Sequence, residues 1–273
     1  MRYYIDNSDI GWRNVEFTGY ATWISDGEKL SSVSGFTMAA RSSHDLYADD
    51  GCEAFGYYAR IYRDTGECAF QKEYYHDKDN DTIYGRSIRT PCLELDTFTD
   101  SIQVGMKFTV TTLDDTATPH PPGSVELRLF LDLVGDNQSW QLVHRHVDEP
   151  GSWLPTGDRE VPQNCPHKAG DTVTDAGNVC FIRADGSMDT IVQWRQASIA
   201  NRFAYCGLQG DECNDHLDCC SESCDPFGYC TDGAVVPFVA GRWRSDYSLR
   251  ASTRQAGRTK QSWEQQYNNN DAI

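Results

Sequence analysis

Short runs of β-branched and aromatic residues, each closed by a cluster of Gly, Asp, Asn or Pro, follow one another from Trp12 onward, and amphipathic helical periodicity is nearly absent. That leaves the strand as the regular element able to fill most of the chain. The runs cover residues 12–23, 32–41, 52–63, 67–76, 82–90, 103–112, 124–134, 140–147, 178–184 and 190–199. So many runs with frequent turns predict an all-β protein, a two-sheet antiparallel β-sandwich. The 273 residues suffice for a substantial core. Val125, Leu127, Leu129, Leu131 and Leu133 alternate strictly and are expected to line it, with Glu126, Arg128, Phe130 and Asp132 turned away.

Residues 52–76, CEAFGYYARIYRDTGECAFQKEYYH, read as two strands folded back at Asp64-Thr65-Gly66. A three-residue turn sets Arg63 opposite Glu67, Tyr62 opposite Cys68, Arg60 opposite Phe70 and Tyr58 opposite Lys72. Tyr58, Arg60, Tyr62, Phe70, Lys72, Tyr74 and His76 then share one face. The other carries Phe55, Tyr57, Ala59, Ile61, Ala69 and Tyr75 and is the more apolar. A sheet face crowded with Tyr, Arg, Lys and His is costly to bury, so it is either a ligand surface or simply solvated.

Arg41 and His44 of RSSHD, and Tyr84, Arg86 and Arg89 of TIYGRSIRT, are expected to converge on that face. The set suits cleavage of a uronic-acid polysaccharide by β-elimination. An arginine neutralises the hexuronate carboxylate, a Lys, His or Tyr removes the weakly acidic proton beside it, and a Tyr or His protonates the leaving oxygen. Lys72 and His76 are the candidate bases, with Tyr74 and Arg60 completing the catalytic set. Arg60 beside Lys72 would lower the lysine's pKa through like charge and partial burial. Arg41, His44, Tyr58, Tyr84, Arg86 and Trp153 are the candidate substrate-binding residues.

Competing assignments stand beside these. Glu73, Glu126 and Asp132 are candidate members of a glycosidase carboxylate pair. His144 and His146 share one strand face and could suit a metal, although no third ligand is evident. No cofactor is implied; Asp49-Asp50 and Asp114-Asp115 are candidates for a structural Ca2+, or are ordinary solvent-facing turn residues. Trp140 and Trp153 either stack on sugar rings or belong to the core.

Eleven cysteines point to an oxidising, extracellular compartment, secreted or at the cell surface, and the sequons at Asn80 and Asn137 are compatible with it. The first residues lack an apolar signal core, as expected of a mature or trimmed chain, and no segment approaches 18 uninterrupted apolar residues. The formal charge of −17 disfavours nucleic acid and anionic membranes as partners. Residues 241–273 hold six basic residues against three acidic ones, a net of +3, which leaves −20 on the rest. A basic tail on an acidic body allows self-assembly. The acidic body argues against a polyanionic substrate unless the cleft is locally positive.

Three prolines make residues 117–123, ATPHPPG, a rigid loop. Residues 148–177 form a long excursion rich in Pro, Gly and Asp, of the length usually functional or covalently tied. Cys165 is the candidate tie, to Cys52 or alternatively to Cys180; with Cys68 and Cys92 these make five cysteines, so one is left over. Residues 178–199 look like a closing hairpin returning beside the first strand. Residues 206–230 then place six cysteines in 25 residues, spaced C-x6-C-x5-CC-x3-C-x5-C. So short a segment cannot bury enough apolar surface to fold unaided, and crosslinks worth about 2–4 kcal/mol each must hold it. Zinc fits poorly, because there is an adjacent cysteine pair and no C-x2-C. The chain therefore divides into a sandwich domain over 1–205, a cystine module over 206–230, and one further strand with a basic polar tail over 231–273.

The cysteine spacing of 206–230 resembles the inhibitor cystine knot, or knottin. The resemblance implies pairing of Cys206 with Cys220, Cys213 with Cys224 and Cys219 with Cys230, and a structural or docking role. Over about residues 10–200 the strand pattern and the polar aromatic face look like the concanavalin A-like jelly roll of lectins, glucanases and several polysaccharide lyases. Neither the E-x-D-x-x-E signature of jelly-roll glucanases nor the R-x-E-x-R and Q-I-H motifs of an alginate lyase family is present; VELRLF is only a fragment of the former type. The resemblance implies a polysaccharide partner. It leaves three functions open: a lyase acting on an acidic glycan, a non-catalytic glycan-binding domain, and a structural subunit of an extracellular assembly.

Overall fold

A computed structural model describes residues 2–6, 12, 14–26, 34–42, 51–77, 81–94, 103–113, 119–157, 159–174, 177, 179–185, 190–201 and 249–252. In chain order the strands are β1 (Arg2–Asp6), β2 (Val15–Asp26), β3 (Gly35–Ser42), β4 (Gly56–Tyr62), β5 (Glu67–His76), β6 (Thr82–Tyr84), β7 (Ile88–Pro91), β8 (Gln103–Thr112), β9 (Val125–Asp132), β10 (Gln141–Asp148), β11 (Val179–Asp185), β12 (Thr190–Asn201) and β13 (Leu249–Ser252). A 3-10 turn, Gly51–Ala54, precedes β4. Among the described residues no helix is long and apolar enough to cross a membrane.

The strands form two antiparallel sheets. One has the order β1-β11-β3-β4-β5-β6, with β7 also paired to β5; the other runs β10-β9-β8-β2-β12-β13. One core cluster takes side chains from both sheets, and Phe70 lies 5.9 Å from Phe108, and Phe36 5.7 Å from Trp194, across the interface. Val125, Leu127 and Leu129 are fully buried and Leu131 nearly so. Leu133 departs from the expected core face at 43% exposure, because β9 ends at Asp132. Asp132 stops the strand: its carboxylate accepts the backbone N–H groups of Val134, Gly135 and Asn137 and the Tyr20 hydroxyl. Those donors replace the ladder with a turn.

Several expected elements are corrected. The segment 82–90 is two strands, since chain and indole crowd together at Gly85, where a Cβ would lie 2.7 Å from Trp153 Nε1. Cys52 lies in a 3-10 turn rather than in a strand. Residues 178–199 are not a hairpin: β12 does return beside β2, but β11 joins β3 and β1 in the other sheet. β1 is an additional strand that the alternation did not single out. The expected strand after residue 230 is the four-residue β13, paired to β12. Residues 206–230, and with them the six cysteines Cys206, Cys213, Cys219, Cys220, Cys224 and Cys230, lie outside the described residues, as does all of the tail apart from β13.

Two disulfides tie the first sheet. Cys52 bonds Cys165 across a sequence separation of 113, and Cys68 bonds Cys92 across 24, leaving Cys180 as a buried thiol. The first pins the 148–177 excursion beside β5, the pairing expected for the tie.

Candidate functional site

The hairpin turn holds four residues, not three. Ile61 faces Cys68, Arg60 faces Ala69, Ala59 faces Phe70 and Tyr57 faces Lys72. Gly66 supplies the left-handed residue (φ 66°), and its N–H closes on the Tyr62 carbonyl at 3.0 Å. A slip of one position exchanges faces. Phe70, Lys72 and Tyr74 therefore point toward the second sheet with Tyr57, Ala59 and Ile61, while Tyr58, Arg60 and Tyr62 lie on the opposite side. The single polar face expected from the sequence is two separate sets.

The outward set is itself buried. Tyr58 packs with Ala39, Val179 and Phe181 in a second small core and donates its hydroxyl to Glu73. His76 Nδ1 lies 3.0 Å from the same carboxylate, and the Tyr84 ring stands edge-on to Tyr58 at 6.3 Å. Arg60 pairs with Asp185 at 3.3 Å and covers the Tyr62 ring at 4.8 Å. Arg60 thus sits across the sheet from Lys72 and is not the like-charge neighbour anticipated.

The inward set is sealed between the sheets. Lys72 Nζ meets Asp148 Oδ2 of β10 at 2.7 Å, and neither side chain is exposed to solvent. The rings of Tyr74, Trp153 and Tyr57 surround the ammonium at 5.1, 5.7 and 6.0 Å. Tyr57 donates its hydroxyl to Asp148 Oδ2 at 2.6 Å and accepts the N–H of Val173 at 3.0 Å. Burial pushes the Lys72 pKa down and the Asp148 pKa up, each opposed by its partner's charge. Tyr74 donates to the Trp153 carbonyl and Trp153 Nε1 to the Arg86 carbonyl at 2.7 Å, so the excursion is stitched to β5 and to the β6–β7 link.

Arg41, expected at the ligand face, stands at one end of the core instead. It is 1% exposed, takes φ 54°, and donates to Val173 O at 2.7 Å, Asn14 Oδ1 at 3.0 Å and Val110 O at 3.4 Å. It braces β3 to β8 and to the excursion. Asn137 is exposed in the β9–β10 turn; His44, Asn80, Asp49, Asp50, Asp114 and Asp115 lie outside the described residues. Among the described residues no three His, Cys, Asp or Glu cluster as a metal site. His144 stacks on Phe70 at 4.4 Å with Nε2 on the Ile88 carbonyl at 2.8 Å.

Among the described residues, a groove of about 490 Å³ open to solvent is bounded by Arg86, His146, Glu149, Trp153, Leu154 and Thr156. A second depression of about 570 Å³ is lined by Leu154, Pro155, Arg159, Gln163, His167 and Lys168. Leu154 and Pro155 line both, making a ridge between them, and Leu154 is 54% exposed. Of the residues singled out in the sequence, Arg86, His146 and the edge of Trp153 reach this groove. Glu149, Leu154 and Thr156 went unnoticed because they lie in an irregular segment, where only the length of the excursion was a signal.

His146 stands edge-on to Trp153 at 4.9 Å, and burial, together with His144 and Lys72, lowers its pKa to about 4. A folded pKa below the unfolded value near 6.5 means that the native state binds fewer protons there. Stability from His146 is present above pH 6.5 and is lost as the pH falls toward 4. Denaturant midpoints should therefore drop between pH 7 and 5, with a shallower drop in His146→Gln; identical slopes would show that His146 contributes nothing. No protein-family model matches the chain, and no curated protein matches it either.

Proposed function

We propose that the chain is an extracellular, non-catalytic carbohydrate-binding protein that holds a polysaccharide segment across the Leu154–Pro155 ridge. The finer architecture is part of the same reading: a concanavalin A-like jelly roll carrying a knottin at 206–230. The observation that carries it is the pair of adjoining depressions of about 490 and 570 Å³, which suits consecutive sugar units. Their walls mix apolar side chains with a few polar ones, Arg86, Glu149 and Thr156 in the first and Arg159 and Lys168 in the second, as sites for polar ring ligands do. Two disulfides and an exposed sequon at Asn137 support an oxidising compartment.

A lyase reading draws less support. Its base must touch a substrate proton, and Lys72 is fully enclosed and ion-paired. The test is a titration against a panel of neutral and acidic polysaccharides with absorbance of unsaturated uronides followed in parallel. Binding without turnover is expected. Turnover would overturn the non-catalytic reading, and failure to bind any glycan would overturn the glycan reading. Arg86→Ala should weaken binding about tenfold, about 1.4 kcal/mol, with the melting temperature unchanged.

A further inference from the structure

The Lys72–Asp148 pair joins β5 of one sheet to the end of β10 in the other and does not line the proposed binding groove. We propose that Lys72 and Asp148 condense into an intramolecular amide, a covalent cross-brace between β5 and β10. The geometry supplies what the reaction needs. The amine nitrogen and the carboxyl oxygen are held 2.7 Å apart by two different sheets, both side chains are 0% exposed, and three aromatic rings wall them off.

The reaction needs no partner molecule. One proton passes from the ammonium to the carboxylate, leaving a neutral amine beside a neutral acid. Burial favours that form, since it removes two charges from an apolar enclosure, and the directions of the Lys72 and Asp148 pKa changes agree. The Nζ lone pair then attacks Cγ of Asp148. The new C–N bond forms, the C–OH bond breaks, and hydroxide leaves with an amine proton as one water. Nothing is oxidised or reduced.

Tyr57 is placed to assist. Its hydroxyl already donates to Asp148 Oδ2 at 2.6 Å and is anchored by the Val173 N–H, so it stabilises negative charge growing on that oxygen. Proximity does the rest: two groups fixed at contact distance in a dry site react as one molecule. Removing the pair's charges also relieves the desolvation cost of an ion pair whose carboxylate is attended by the Tyr57 and Ser152 hydroxyls.

The test is the mass of the full chain produced under oxidising conditions, reduced and denatured before measurement. The expected result is a mass lower by one water, absence of tryptic cleavage after Lys72, and a branched peptide joining the segments that hold Lys72 and Asp148. Lys72→Arg and Asp148→Ala should each restore the unmodified mass. An unmodified wild-type mass with linear peptides, or a branch at other residues, overturns the proposal. The wild-type measurement decides even if a variant fails to fold.

Discussion

Replacing Cys52 and Cys165 by serine should cost about 4–5 kcal/mol, seen as a fall of about 10–15 °C in the melting temperature. The bridge spans 113 positions, and the entropy removed from the unfolded chain rises with the logarithm of the loop it closes. The Lys72–Asp148 amide offers a shorter path of roughly 40 residues between the same cysteines, which still gives about 4 kcal/mol. Against a total of about 5–15 kcal/mol for a domain, either figure is a large share. The native side adds to it: Cys165 leads into His167, whose ring stacks on Phe55 at 4.0 Å and whose Nε2 meets the Tyr74 carbonyl at 2.7 Å. Releasing Cys165 loosens that packing as well. A midpoint within about 1 kcal/mol of wild type would mean that these noncovalent anchors alone fix the excursion.

The period-two alternation carried the two-sheet fold because it depends on burial alone. Val125 to Leu131 alternate because one side of β9 meets the other sheet, and nothing else is required. The hairpin register did not follow, because it turns on a single residue: whether Arg63 joins the strand or the turn. Its N–H goes instead to the Ser34 carbonyl of the segment before β3, a partner 29 positions away that no local rule reveals. The same slip decided the candidate site. With Lys72 assigned to the face of Arg60 it looked like an activated base, whereas its partner Asp148 lies on another strand at the end of the alternating set His144, His146, Asp148. Of that set, His144 and His146 were visible as sharing a face and suggested a metal, and Asp148 was not joined to them. The excursion's role was legible in its length and in Cys165, but the groove it builds was not, since irregular backbone carries no periodic signal.

Trp153→Ala should be the most damaging single truncation in the excursion, at about 3–5 kcal/mol, because it empties a 4%-exposed indole from the core. The ring stacks on Tyr57 at 6.2 Å, receives the edge of His146, and lies over the Lys72–Asp148 junction. Trp153→Phe separates packing from hydrogen bonding. It keeps an aromatic ring but leaves the Arg86 carbonyl without the Nε1 donor, a loss of about 1–3 kcal/mol. Affinity for the proposed glycan should fall in both, in proportion to how far Leu154 and Arg86 move when their shared support goes. The sequence left open whether Trp153 is a sugar-stacking platform or a core residue, and denaturant unfolding tells them apart. A platform residue cut to alanine would lose binding and keep its unfolding midpoint, whereas Trp153 is expected to lose both, because the wall of the groove is the outer edge of the core.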